Sequence, residues 1–293
     1  MFHLGSILIP IDFSASGLIA ANHVGALARH FHSEVTLLHV NDFSVLHPLN
    51  GPLGFGITSA EAERAEHLSR RQQQLDEFGV AELRGVSVKR LLRCGDPAKL
   101  IVERAREDKS ELIFMPTHGH GSFRRYLLGS VTAKVLHDAE SPVWTSTHLA
   151  EPLMLNPTEV RHVMCAVDFG PQSCKVLSWA ASFASEFGAQ LTAVHAVLQT
   201  PPTLPDRYTF FWHDQAHLGA DECLRGLVLD SRIQADVLVV SNGDVPKALS
   251  VAAKEKGAEL LVIGRSWACD LPRRLGTHAY FIICNAPCPV VSI

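Results

Sequence analysis

Short apolar runs and longer amphipathic segments alternate along this chain. The runs "GSILIPI", "SEVTLLHV", "GVSVKRLLRC", "ELIFM" and "SPVWTS" have the length and composition of strands, and the first is apolar enough to be buried on both faces. The segments between them place small and apolar residues at helical spacing, with Ser14 and Asp96 at expected helix starts. Five strands alternating with four helices predict an α/β fold, an open parallel sheet that helices cover on both faces.

The same pattern occurs twice. "ILIPIDFSASG" has a counterpart in "VMCAVDFGPQS", and "EVTLLHV" has one in "QLTAVHA". An interval of 27 residues separates Asp12 from His39 and also Asp168 from His195. Further matched segments follow in the same order, which is the signature of an internal repeat. The chain is therefore predicted to be a tandem duplication, with domains at residues 1–148 and 159–293 and a polar, proline-containing connection between them.

Composition narrows the class of protein. Charged residues make up 19% of the chain and the formal net charge is −4, so no basic surface for nucleic acid is indicated. No segment approaches the ~20 apolar residues that cross a bilayer, and the N-terminus lacks the pattern of a signal peptide. The seven cysteines are scattered, which is typical of reduced thiols. We expect a soluble cytoplasmic protein with neither nucleic acid nor membrane as a partner.

The ends of three predicted strands carry the candidate chemistry. Asp12, Val40 and Met115 end the first, second and fourth strands, so they lie at the carboxyl edge of the sheet, where such folds bind ligands. Glycines in the next segment, "THGHGSFRRYLLGS", let the backbone approach a phosphate closely. Ser130 would begin a helix, where unpaired N–H groups and the helix dipole favour an anion. With Asp12 as an acceptor for a ribose or the adenine side, the arrangement suits a nucleotide.

The duplicated order of elements and this glycine pattern resemble the universal stress protein family, and the resemblance covers both halves. The ATP-binding branch of that family carries a Gly-x2-Gly-x9-Gly-Ser/Thr signature after its fourth strand, and Gly119, Gly129 and Ser130 match its second, third and fourth positions. The resemblance implies an adenine nucleotide alpha hydrolase-like, Rossmann-like fold, ATP with Mg²⁺ as the ligand, and a role in stress-response regulation. The site residues that it implies are Pro10, Asp12, Val40, Met115, His118, Gly119, Gly129, Ser130, Val131 and Thr132.

The resemblance also bears on how the two halves pack. In single-domain members of the family the fifth strand forms the dimer contact, and this chain has two such strands, "SPVWTS" and "CPVVSI". Each would leave an exposed sheet edge if it were unpaired, and an exposed edge promotes aggregation. We therefore expect Val143 and Trp144 to pair antiparallel with Val290 and Val291, which would pack the two five-stranded sheets as a pseudo-twofold dimer within one chain.

Both halves depart from the signature. Pro116 occupies the first glycine position, and proline has no N–H to donate to a ligand. The lost hydrogen bond would be worth about 0.5–1.5 kcal/mol. In the second half Trp267 replaces the second glycine and the loop is one residue shorter, so we expect that site to be degenerate. The histidines of "THGHG" lack a second ligand pair at zinc spacing, so no metal site is expected there.

Three functions stay open on this basis. The first is a regulatory ATP-binding protein without a reaction of its own, which the resemblance implies. The second is an enzyme, either a slow ATP hydrolase or an adenylate-handling transferase, but the sequence shows neither a Walker loop nor a nucleophile–base pair. The third is a scaffold that has lost its nucleotide, with Pro116 as the main support. The stress, the oligomeric state and any protein partner are left open.

Overall fold

The computed structural model describes residues 2–42, 57–115, 128–146, 159–198, 206–241, 243–265 and 277–293. Strands and helices alternate in both halves, as predicted. The first half comprises β1 (Ser6–Pro10), α1 (Ala15–Phe31), β2 (Glu34–Asn41), α2 (Ile57–Glu77), β3 (Ser87–Cys94), α3 (Pro97–Glu107), β4 (Leu112–Met115), α4 (Ser130–Asp138) and β5 (Val143–Thr145). The second comprises β6 (His162–Ala166), α5 (Ser173–Phe187), β7 (Gln190–Ala196), α6 (Asp206–Asp230), β8 (Asp236–Val240), α7 (Val245–Lys256), β9 (Leu260–Ile263), α8 (Thr277–Asn285) and β10 (Val290–Ser292).

Side-chain caps fix where several helices begin. The Ser14 hydroxyl accepts the N–H of Gly17 at 3.3 Å and starts α1. The Asp96 carboxylate accepts the N–H of Lys99 at 3.1 Å and starts α3, which has proline in its first turn. Asp244 does the same for α7 in the second half, at 2.8 Å from the nitrogen of Lys247. Both caps that the sequence predicted are therefore confirmed, and the α3 cap is duplicated.

The ten strands that the structure describes form one sheet. Their order is β3-β2-β1-β4-β5-β10-β9-β6-β7-β8. Neighbouring strands within each half run parallel, whereas β5 and β10 run antiparallel, with Trp144 opposite Val291 and Thr145 opposite Val290. The predicted pairing of the two fifth strands within the chain is thus confirmed. In the first half the strand order changes direction between β1 and β4, which is where open parallel sheets bind ligands.

Two apolar clusters cover the two faces of the sheet, and each runs through both halves. Alternate residues of β1 enter opposite clusters, Ile7 and Ile9 on one face and Leu8 on the other. The first cluster takes side chains from α1, α2, α5 and α6, and the second takes them from α3, α4, α7 and α8. Because both clusters cross the junction of the halves, the protein has a continuous core on each side of the sheet.

Aromatic side chains pack at the junction of β5 and β10 on one face of the sheet. Trp144 of β5 stacks on Phe114 with ring centroids 5.5 Å apart, and it meets Phe183 of α5 edge-on at 5.8 Å. Phe2 contacts Phe183 at 5.6 Å and Phe31 of α1 at 5.5 Å. These pairs bury large apolar surfaces at the β5–β10 seam and stabilise the packing of the halves.

Among the described helices, none has the length and apolar character required to cross a membrane.

Candidate functional site

The turn after β1 positions the carboxylate of Asp12. The sequence predicted Asp12 as the last residue of the first strand. The structure ends β1 at Pro10, so Asp12 lies two residues beyond the strand. Its Oδ1 accepts the N–H of Ser14 at 3.0 Å, which folds the chain toward α1. Between them Phe13 has a φ of 63°, a left-handed conformation that is unfavourable for a residue with a Cβ. Something in the surrounding structure must therefore hold this turn.

His39 of β2 holds it. The Nδ1–H of His39 donates to the carbonyl oxygen of Ile11 at 2.8 Å, and its ring lies 4.3 Å from the ring of Phe13. Because a carbonyl only accepts, Nδ1 carries the proton in this arrangement. Burial lowers the pKa of His39, with Arg71 contributing, while the bond to Ile11 and the charge of Asp12 act in the opposite direction. The neutral imidazole is thus a structural anchor for the turn that carries Asp12.

The second half repeats this anchor. His195 donates from Nδ1 to the carbonyl of Val167 at 2.8 Å, and Phe169, with a φ of 60°, stacks on its ring at 4.2 Å. Asp168 accepts the N–H of Gly170 at 2.9 Å and the hydroxyl of Ser173 at 3.2 Å, so it ties the turn after β6 to the first residue of α5. The sequence indicated that His39 and His195 correspond, but it gave no sign of what either does. The equal spacing in the two halves was the signal available.

Apolar side chains line the neighbouring strand ends. Met115, the last residue of β4, is buried, and Val40 of β2 is half-buried against the same apolar cluster. Leu128 and Val131, at the start of α4, join that cluster. The structure therefore places Val40, Met115 and Val131 on one face of the sheet at its carboxyl edge. Asn41, on the other face, accepts from His67 at 3.2 Å, and its buried Nδ2 has no hydrogen-bond partner within the described part of the chain.

The N-cap residue of α4 is a glycine, so it supplies no side-chain cap. Gly129 occupies the N-cap position, and the first helical bond runs from Ala133 N–H to its carbonyl at 2.9 Å. Ser130 is exposed, Val131 is half-buried and Thr132 is buried. Within the described residues, the N–H groups of this first turn receive no N-cap side-chain acceptor of the kind that Ser14, Asp96 and Asp244 supply to other helices. They form an electropositive helix terminus on the same edge of the sheet as the Asp12 turn.

The backbone conformation of Gly129 is not one that needs glycine. Its φ is −59° and its ψ is 144°, a conformation open to any residue. A Cβ built at Gly129 would meet only the Thr132 hydroxyl oxygen, at 3.7 Å, which is an ordinary contact. The protein backbone therefore does not demand glycine here. A requirement for glycine would have to come from a group that lies against this position.

Several predicted positions lie outside the described residues. They are Pro116, His118 and Gly119 in the first half and Trp267 in the second. Gly276, which matches Gly129 in the repeat, also lies outside them. Gly264 follows β9, and Thr277 begins α8 as Ser130 begins α4. Among the residues that the structure describes, no group of three or more His, Cys, Asp or Glu side chains is placed to hold a metal ion. All the cysteines in these ranges are free thiols.

Both halves of the chain are similar to known proteins of one family. Residues 4–146 and residues 159–293 each match the Universal stress protein family. Two universal stress proteins of Methanocaldococcus jannaschii are each 34% identical to this chain, over 139 and 148 residues, which is 47% of this chain and 78% and 91% of the relatives. A universal stress protein structure from Archaeoglobus fulgidus has the same fold, with a TM-score of 0.67 at 22% identity over 99% of this chain and 98% of that one. With two family domains that together span nearly all of its length, this chain belongs to the universal stress protein family.

Proposed function

We propose that the first half binds ATP with Mg²⁺ and that the protein is a stress-response regulator whose output depends on nucleotide occupancy. The observation that carries the proposal is the uncapped start of α4, which lies at the same sheet edge as the Asp12 turn and the apolar ends of β2 and β4. An electropositive terminus, a carboxylate and an apolar wall are the features that phosphate, ribose and base require.

Each residue of the site has a role in this proposal. Pro10 and Asp12 lie on the ribose and adenine side, and Val40 and Met115 form the apolar wall beside the base. The N–H groups of Ser130, Val131 and Thr132 face the phosphates, with Gly129 leaving room for them. His118 and Gly119 belong to the signature segment that precedes this helix in sequence. Mg²⁺ would be held chiefly by phosphate oxygens and water, as is usual for this ion.

A regulatory role is favoured over a catalytic one. His39 anchors the Asp12 turn through the bond from its Nδ1–H to the Ile11 carbonyl and through its ring contact with Phe13. The sequence shows no nucleophile–base pair that would make this site catalytic. The second half differs from the signature at Trp267, which supports one nucleotide per chain. A slow hydrolase and a nucleotide-free scaffold are the competing functions, and both are separable by experiment.

Titration calorimetry of the full chain with ATP and Mg²⁺ tests the proposal. We expect one site per chain, lost in Gly129→Val and kept in the matched variant Gly276→Val of the second half. Two equivalent sites, or a single site lost in Gly276→Val, would contradict the assignment to the first half. No binding by the wild-type chain would favour the scaffold, and steady release of phosphate would favour the hydrolase.

A further inference from the structure

Helix α4, which carries the phosphate side of the proposed site, is held at its C-terminal end by a residue of the other half. Arg265 donates from Nη1 to the carbonyl of Ala139 at 2.6 Å and to that of Leu136 at 3.5 Å. It donates from Nη2 to the carbonyl of Ser141 at 2.9 Å. These carbonyls belong to the last turn of α4 and the residues just after it, where helix acceptors lack partners and the dipole favours a cation.

This arginine is unusual for its burial. Its exposed fraction is 8%, and its backbone N–H is also engaged, with the carbonyl of Ile293 at 3.0 Å. Burial lowers its pKa to about 10, so it remains protonated at neutral pH. No carboxylate pairs with it among the described ion pairs, and the charge is balanced by carbonyl dipoles at the end of α4. A buried cation is unfavourable unless its partners are well placed, so the geometry of Arg265 and α4 is mutually constrained.

The second half also contacts the beginning of the same helix. Burial raises the pKa of the Cys284 thiol, and a hydrogen bond with the backbone of Leu128 opposes that rise. Tyr280, one turn earlier on α8, shares the contact with the Leu128 backbone. Leu128 directly precedes Gly129. Leu128 also belongs to the same apolar cluster as Ile282 and Cys284 of α8, so the second half packs near both ends of α4, a helix of nine residues and about 13.5 Å.

The arginine that contacts α4 has no counterpart in the sequence of the first half. Arg265 is the second residue after β9, and the corresponding position after β4 is Thr117, which carries no cation. The half in which Trp267 interrupts the signature thus supplies the arginine, and the half with Gly119 and Gly129 intact supplies the helix. The second half therefore supplies a residue that stabilises the position of a helix in the first half, where the nucleotide site is proposed.

We propose that Arg265 is a positioning residue for the phosphate side of the nucleotide site in the first half. By fixing the carbonyls at the C-terminal end of α4, it sets where the N–H groups of Ser130, Val131 and Thr132 lie. The inference rests on the proposed nucleotide binding. It predicts that removal of the guanidinium affects ligands with phosphates and spares ligands without them.

The test compares the dissociation constants of ATP and adenosine in the full chain. Arg265→Met retains an apolar stem and removes the donors, and Arg265→Lys retains the charge. Arg225→Met is the matched control, because Arg225 is an exposed arginine of the same half that pairs with Asp221 of its own helix. For Arg265→Met we expect the Kd of ATP to rise about three- to tenfold with that of adenosine unchanged. Arg265→Lys should recover part of the loss, and Arg225→Met should match wild type.

Unchanged affinity for ATP in Arg265→Met, or equal weakening of ATP and adenosine, would overturn the inference and leave the proposed function standing. A wild-type chain that does not bind ATP would overturn the proposed function, and this inference with it. Where Arg265→Met does not fold, Arg265→Lys carries the test. Its preference for ATP over adenosine should still lie below that of wild type, and a preference equal to wild type would overturn the inference.

Discussion

The Nδ1–H of His39 lies 2.8 Å from the carbonyl oxygen of Ile11, and this bond ties the end of β2 to the turn after β1. The turn holds Asp12 next to a left-handed Phe13 whose ring packs on the same histidine. His195 and Val167 make the equivalent bond in the second half. The two histidines therefore offer a matched pair of substitutions, one beside the proposed site and one remote from it.

His39→Leu should lower the free energy of unfolding by about 1–3 kcal/mol, because it leaves the Ile11 carbonyl without its donor. The turn that carries Asp12 would loosen, so ATP binding should weaken as well. His195→Leu should cause a similar loss of stability with ATP binding unchanged. Chemical denaturation and calorimetry on both variants measure the two effects. Equal losses of ATP affinity in the two variants would contradict a local role for His39.

Stability should fall as the pH drops below about 6.5, the ordinary pKa of histidine. Burial lowers the pKa of His39, and also that of His23, in the folded chain. Between the unfolded and folded values the unfolded state binds more protons, so acid favours unfolding. The contribution is absent above that window and grows as the pH falls through it. His39→Leu should make the free energy of unfolding less dependent on pH between 7.5 and 5, measured by denaturation at each pH, and an unchanged slope would contradict this.

Gly129→Ala should fold as well as the wild type and bind ATP less tightly. The backbone at Gly129 suits any residue, and a Cβ there meets no close neighbour within the protein. Saturation of the wild type at about 100 times its Kd should add about 2.7 kcal/mol of stability, and the variant should gain less at the same concentration. Thermal unfolding with and without ATP checks both parts. A large loss of stability without ligand would show that the protein itself requires this glycine.

Pro116→Gly should keep or improve ATP binding. The substitution restores a backbone N–H at the first glycine position of the signature, which is worth up to about tenfold in affinity. Calorimetry on the variant and the wild type gives the comparison directly. Weaker binding would mean that the proline pre-organises the loop, and that its fixed φ outweighs the missing donor.

Trp144→Ala should destabilise the protein by about 3–5 kcal/mol, the usual effect of removing a buried tryptophan. Its ring stacks on Phe114 and meets Phe183 across the seam. Leu229→Ala is a suitable control, because Leu229 is 76% exposed and should change stability by less than about 0.5 kcal/mol. Urea denaturation measures both variants. Similar small effects in the two would show that the aromatic contacts contribute little to the seam.

Much of the fold could be predicted because its signals are local. Apolar runs indicated the strands, and Ser14 and Asp96 indicated two helix starts. Val290 and Val291 could be matched to Val143 and Trp144 because the family resemblance implied a dimer contact through the fifth strand, and the duplicated chain has two such strands. The left-handed Phe13 had no such signal, since residues other than glycine are uncommon there. Arg265 meets Ala139 from 126 positions away in sequence, a contact that only the packed halves define.

The antiparallel pairing of β5 with β10 has a genetic consequence as well as a structural one. A dimer of identical one-domain subunits must carry two identical sites, and every mutation falls on both at once. Here the two halves pair through β5 and β10 but are encoded by separate codons, so a change such as Trp267 in one signature segment leaves Gly119 in the other unchanged. The equal ratio of the two halves is guaranteed by synthesis as a single polypeptide. The duplication therefore allows the two domains to diverge in sequence while they stay paired within one molecule, without a bimolecular association step.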